Sequence, residues 1–173
     1  MTDKGIDLNS LEWDSSQDAK FLGELGHGEE VRGGYVKVSG VVDTGAEDHA
    51  IREDTAPWIE TVPSDASTNG SNFRGPAGEE IAAKGRKTFK GLTAQGQHAT
   101  INGEVCNIRR SLFSAVKIAD AGNDVVVSSK RAYIKNIRTE KVTWLRKQGN
   151  VWMLDLWLRL PPDSEKGFTR RGR

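Results

Sequence analysis

The chain has 173 residues, with 25 Lys and Arg against 24 Asp and Glu and a formal net charge of +1. That balance argues against a dedicated nucleic-acid-binding domain and leaves no polybasic signal for a membrane surface. A hydrophobic share of 36% supports one core with polar extensions, and the single cysteine, Cys106, excludes an internal disulfide and a cysteine-based zinc site.

In chain order, residues 1–30 read as an acidic, partly ordered arm, with eight acids between Asp3 and Glu30 against Lys4 and Lys20. Apolar anchors around residues 17–25 predict a short helix within it. No basic stretch followed by an apolar run marks a secretory leader, and no apolar stretch is long enough to span a bilayer. A soluble, intracellular protein is the expectation.

From Tyr35 the texture changes. Tyr35-Val36-Lys37-Val38-Ser39 alternates and then runs into Gly40-Val41-Val42, which predicts a strand half-buried at its start and fully buried at its end. Residues 47–53 suit one helical turn. Residues 61–80 are rich in Ser, Asn, Gly, Pro and Asp and predict a long loop. Extended texture resumes at 80–83, and short strands separated by glycines are expected at 87–93, 98–101 and 104–108. Leu112, Phe113, Val116 and Ile118 have helical spacing, which predicts a helix over 112–121 capped by Gly122. Further strands are predicted at 124–127, 132–134, 142–145 and 151–158. Pro161-Pro162 closes this region, and the tail is basic. The expected division is an arm over 1–30, a folded domain over 31–160 and a basic flexible tail over 161–173. Many short strands with Gly-rich turns indicate an all-β barrel or sandwich.

The chemistry-bearing string is Asp43-Thr44-Gly45-Ala46, directly after the apolar pair Val41-Val42. A carboxylate at the end of a buried strand is held rigidly. Thr44 offers a hydroxyl to a symmetric neighbour, Gly45 permits a tight turn and Ala46 leaves room for close approach. Peptide hydrolysis by this route needs two carboxylates that share one proton. The chain contains no second Asp-Ser/Thr-Gly; Asp120-Ala121-Gly122 lacks the hydroxyl and reads as a helix end. One motif per chain therefore implies a two-fold homodimer in which each subunit supplies Asp43. The same string also serves as a plain strand-end turn without chemistry.

With these residues the chain resembles the retropepsin-like aspartic proteases of retroviruses and LTR retrotransposons, above all those of copia-type polyproteins. The likeness runs through Val41 to Asp48, then Phe73-Arg74-Gly75-Pro76-Ala77-Gly78-Glu79-Glu80-Ile81 in the place of the flap. It continues through Val105 to Val116, then Gly122 to Val127, and ends in Val151-Trp152-Met153-Leu154-Asp155. Together these cover about residues 31–160; the first stretch alone is specific. The resemblance implies a retropepsin-like closed barrel with one short helix after the core strands. It also implies a homodimer, flaps over an extended peptide, and endoproteolytic cleavage of a retrotransposon polyprotein. By the same resemblance Asp43 is catalytic, Thr44, Gly45 and Ala46 form the active-site loop, and Phe73, Gly75, Pro76, Ala77 and Gly78 form the flap. No cofactor and no metal are implied. The family's retroviral members have Gly after two apolar residues before their helix, whereas Ser114 follows Leu112-Phe113 here. That departure motivates the alternative of a catalytically inactive dimerisation or interaction domain on the same fold.

The remaining features read blandly. Residues 84–90 are basic with one aromatic and suit a solvated hairpin face. Arg170-Arg171-Gly172-Arg173 suits a linker remnant, so nucleic acid is an unlikely partner. His27, His49 and His98 are too dispersed for a metal site, and His49 is expected on the surface or in a loop. Cys106 is expected in the core, Trp144, Trp152 and Trp157 in the core or a dimer interface, and Trp58 in the core, with a substrate subsite as its alternative.

Overall fold

The computed structural model describes residues 31–75 and 77–161. The expectations for residues 1–30, for Pro76 and for the tail beyond residue 161 lie outside the described residues.

The organising strand is β2, Tyr35–Asp43, where the predicted alternation holds; its end, expected fully buried, is only half-buried at Val41 and Val42. Val36, Val38 and Gly40 point into the core, and Tyr35, Lys37 and Ser39 point away. One edge of β2 takes β12, Val151–Arg159, in antiparallel register from Met153↔Val41 to Arg159↔Tyr35. The other edge takes β7, Ser111–Ser114, in parallel, with Val41↔Leu112 and Asp43↔Ser114.

From β7 the sheet continues through β3 (Ala50–Arg52), β6 (His98–Cys106) and β5 (Glu80–Leu92), and β5 pairs back to β12. The path β2-β7-β3-β6-β5-β12 thus closes into a ring of six strands in a mixed sheet. Short β1 (Val31–Arg32) extends the β2 side, and β11 (Arg146–Gln148) forms a hairpin with β12. A separate three-stranded sheet has the order β10-β9-β8, built from Asn123–Val127 (β8), Ala132–Asn136 (β9) and Val142–Trp144 (β10). The described residues are mostly β, as expected, and they hold two short helices where one was expected.

Phe89, Phe113, Ile51, Leu156 and Leu158 are fully buried inside the ring. Each such side chain contributes about 1.5–3 kcal/mol by leaving water. β12 is buried on both faces, because Trp157 packs outside the ring with Leu92 and Tyr35. That double burial explains its nearly continuous apolar sequence. Trp58 and Trp152 pack partly buried against the core. Trp144 does not; it is 48% exposed.

Four local expectations are corrected. Residues 47–53 make no helical turn; β3 lies there, pairing with β6 in parallel and with β7 through Ala50, and Ile51 is buried between them. The predicted helix over 112–121 starts later, at Ala115, and runs to Asp120. Leu112 and Phe113 are claimed instead by their parallel partners Val41 and Val42. The separate strands expected over 80–108 are two long ones, β5 and β6. Their glycines mark close crossings rather than turns: a Cβ on Gly91 would sit 2.6 Å from the Trp157 carbonyl, and one on Gly103 2.8 Å from His49 Cβ. Finally, the long loop over 61–80 contains a helix, Asp65–Asn69, and strand β4, Asn72–Arg74. Ser64 and Ser67 form a capping box at the helix start, and Gly70 ends it in the left-handed region.

Gly40 offers a direct check of this packing. A Cβ there would lie 2.6–2.8 Å from the Phe113 ring, which is fully buried and has nowhere to move. Gly40→Ala is expected to destabilise by about 1–3 kcal/mol, read as a lower urea midpoint. An unchanged midpoint would mean that Phe113 does not cover β2.

Candidate active site

Asp43 is the last residue of β2 and is half-buried. Alternation along β2 puts it on the same face as Val41, and the parallel pairing puts Leu112 beside Val41 on that face. The chain then turns sharply. Asp43 Oδ1 accepts the Gly45 N–H at 2.8 Å, so the turn itself orients the carboxylate. Thr44 and Gly45 are exposed, and Ala46 is half-buried.

Ser114 holds this loop from the side. It is the residue paired with Asp43, and it is completely buried. Its hydroxyl donates to the Ala46 carbonyl at 2.6 Å and accepts the Lys117 N–H at 3.2 Å, so one side chain both anchors the loop and caps the helix Ala115–Asp120. The Ser114 N–H donates to His49 Nδ1 at 2.9 Å. His49 is not a surface histidine: it is 8% exposed and meets the Phe113 ring edge-on at 6.1 Å.

A charged network lies behind the loop. Arg86 Nη1 reaches Asp48 Oδ2 and Glu104 Oε1, each at 2.9 Å. The Arg86 guanidinium also donates to Asn102, through Oδ1 at 2.8 Å and the carbonyl at 2.7 Å. Glu104 Oε2 accepts the Ser64 hydroxyl at 2.9 Å. Burial alone would raise the Asp48 carboxyl, but the hydrogen bond and charge of Arg86, with the backbone N–H of His49, hold it below its ordinary 3.8. Asp155 behaves alike: burial is outweighed by Arg146 and by the Ser39 hydroxyl, so this carboxyl also stays low.

The described residues among those predicted for the flap, Phe73, Gly75, Ala77 and Gly78, belong to a hairpin. β4 pairs with the first residues of β5, Phe73↔Ile81 and Arg74↔Glu80, and with no other strand. At its tip the Gly75 N–H donates to the Glu79 carbonyl at 2.9 Å, and the Gly78 N–H to the Gly75 carbonyl at 3.0 Å. Phe73 is half-buried and Ala77 and Gly78 are exposed. The hairpin leaves the sheet at an irregularity between Ala83 and Arg86. Gly85 has φ +133 there, and a Cβ would meet the Val62 carbonyl at 2.6 Å, so no other residue fits the bend. Arg86, next to that bend, is the residue that binds Asp48. Among the described residues no hydrogen bond or ion pair joins the hairpin tip directly to the Asp43 loop.

His49 gives the site a pH dependence. Burial pushes its pKa below 6.5; Asp48 opposes this, while Lys117 and Arg86 add to it. The folded protein therefore keeps the ring neutral where the unfolded chain has begun to bind a proton. The stability this contributes is present above pH 6.5 and is lost as the pH falls from there through the folded value. Asp48 and Asp155, also lowered, act only around and below 3.8. Melting temperature should therefore fall between pH 7.5 and pH 5, and His49→Asn, which keeps an acceptor for the Ser114 N–H, should flatten that fall. An equal fall in the variant would assign the titration elsewhere.

Sequence reading placed Asp43 and its turn but missed His49, Ser64, Arg86 and Glu104. Lys87, expected on a solvated face, is 3% exposed and donates to the Thr55 and Ala56 carbonyls. Cys106 is buried and its thiol is pushed up to about 11, chiefly by burial, which leaves it inert as a nucleophile at neutral pH. Among the described residues no three His, Cys, Asp or Glu side chains are grouped to hold a metal ion, and no helix is long and apolar enough to cross a membrane. No protein-family model matches the chain, and neither a curated protein nor a solved structure matches it.

Proposed function

We propose that the chain is one half of a homodimeric aspartic endopeptidase, with Asp43 of each subunit meeting on a two-fold axis. The observation that carries this reading is the Asp43-Thr44-Gly45 turn. It leaves a half-buried carboxylate, oriented by the Gly45 N–H, at the end of a strand flanked on both edges. In such a dimer the exposed Thr44 would offer its hydroxyl across the axis. The closed six-strand ring and the hairpin carrying Gly75 and Gly78 support the finer reading of a retropepsin-like barrel with a flap.

The chemistry follows from two carboxylates sharing one proton. The ionised one removes a proton from water as the water oxygen attacks the peptide carbonyl carbon. The protonated one donates to the carbonyl oxygen. The C–N bond of the tetrahedral diol then breaks as the carboxyl that took the water proton gives it to the leaving nitrogen, while the other carboxylate takes a proton back from a diol hydroxyl. The pair titrates as a unit and needs no cofactor. An extended segment of a polyprotein, here a retrotransposon's, is the substrate class. Cleavage of a peptide library at mildly acidic pH, followed over protein dilution, tests this. Activity per mole should collapse as the dimer dissociates; activity per mole independent of dilution in a monomeric protein would refute the shared site.

Ser114 favours a second reading, a non-catalytic dimerisation or interaction domain. Its hydroxyl ties the Ala46 carbonyl, a bond that glycine at this position does not make. A stable dimer that cleaves no peptide would select it.

A further inference from the structure

The near-zero net charge conceals a partition. Residues 128–144 carry five cations, Lys130, Arg131, Lys135, Arg138 and Lys141, against the single acid Glu140. Residues 1–30 are acidic in compensation, with eight acids against two lysines. The five cations belong to one small structure: β9, β10 and the turns at the two ends of β9. No ion pair among the described residues neutralises any of them.

The same sheet has two unlike faces. Ala132, Ile134 and Thr143 are buried against the core. On the opposite face the register aligns Val126↔Tyr133 and Tyr133↔Trp144 in one row across the three strands. Tyr133 and Trp144 meet at 5.4 Å between ring centroids, and Trp144 is left 48% exposed. Arg131, Lys135, Glu140 and Val142 complete an open cleft of about 420 Å³ around the two rings. The edge is held in place: Gln97 Nε2 donates to the Val142 carbonyl at 2.8 Å, and the Trp144 N–H donates to Gln95 Oε1 at 3.3 Å.

We infer that this face binds single-stranded nucleic acid, independently of any proteolytic activity. Exposed aromatic rings on a sheet are platforms for unpaired bases, and cations on either side neutralise the phosphates that follow. Both parts are present: an aromatic pair at the centre, and exposed Lys130 and Arg131 at one end of β9 with Arg138 and Lys141 at the other. Charge complementarity alone would also admit an acidic peptide. The acidic side chains of such a peptide, however, are not flat rings that could cover Trp144, whereas every nucleotide pairs its phosphate with a base that can. A double helix hides its base faces and would use only the cations.

The test is fluorescence anisotropy with a labelled 20-nucleotide oligouridylate, full-length protein, and a series of salt concentrations. Binding should weaken with salt and should survive Asp43→Asn. Trp144→Ala with Tyr133→Ala should lower affinity by about tenfold or more, while Trp144→Phe, which keeps a ring, should retain most of it. Arg131→Gln with Lys135→Gln should lower the log–log salt slope by about 1.4. Several results would overturn the inference. They are no binding, loss of binding only on deleting the basic residues 166–173, equal binding of a duplex of the same length, or displacement by oligoglutamate with the same sensitivity to the ring variants. The four substituted side chains lie on the outer face, so unchanged melting curves are expected and separate lost binding from lost fold.

Discussion

Asp43→Asn is expected to abolish peptide cleavage while leaving the fold and the dimer intact. Under the proposed function the substitution alters both halves of the site at once, because each subunit would supply the same residue. A pair of amides can neither remove a proton from water nor donate an acidic proton to the carbonyl. Losing both roles should lower turnover by about 10⁴-fold. Asn keeps a side-chain oxygen in the place of Oδ1, so it still accepts the Gly45 N–H and the turn survives. Unchanged melting with lost turnover separates chemistry from stability. Equal cleavage by the two proteins would remove Asp43 from the mechanism.

Arg86→Ala is expected to be the most damaging substitution outside the core. Its guanidinium is shared by Asp48, Glu104 and Asn102, and the Glu104 side chain is only 4% exposed. Removing the cation leaves a buried carboxylate uncompensated, with the Ser64 hydroxyl as its remaining partner. Breaking such a pair costs about 3 kcal/mol, the low end for a buried ion pair, because Arg86 itself is 32% exposed. Arg86→Lys should recover only part of this, since an ammonium cannot reproduce the planar fork that meets all three partners. Equilibrium unfolding in urea reads the loss directly. Arg86 connects the Asp48 side of the Asp43 loop to the strand bend where the hairpin begins. Under the proposed function, therefore, the variant should also lose activity in excess of its unfolded fraction. A midpoint equal to that of the wild type would show that the network carries no stability.

The legible parts of the molecule were those decided locally. β2 alternates and ends in an apolar pair, and it was read almost to the residue. The strands over 123–127, 132–136, 142–144 and 151–159 were legible for the same reason, being β-branched and aromatic runs bounded by Gly, Ser or charged turns. What misled was tertiary competition. Leu112 and Phe113 have helical spacing, yet a parallel partner at Val41 and Val42 takes them into a strand. Ala50-Ile51-Arg52 is too short to declare itself without β6 and β7 beside it. Gly91 and Gly103 looked like breaks because a sequence does not show that another segment crosses above them.

The site divides in the same way. Asp43-Thr44-Gly45 forms its turn from adjacent residues and could be read directly. The residues that hold it could not: His49 finds its partner 65 residues away, Ser114 finds Ala46 68 away, and Arg86 finds Asp48 38 away. Net charge hides local charge for a related reason. It averages an acidic beginning with a basic sheet, and only the fold shows that Arg131 and Lys135 line one cleft with Tyr133 and Trp144.

The central claim is that each chain holds half of one site. It is tested most directly by the separation of the two Asp43 carboxylates in a crystal structure of the dimer. They are expected about 3 Å apart, close enough that only one can ionise. Carboxylates far apart in a stable dimer, or a chain that stays monomeric at the concentration where it cleaves, would contradict it.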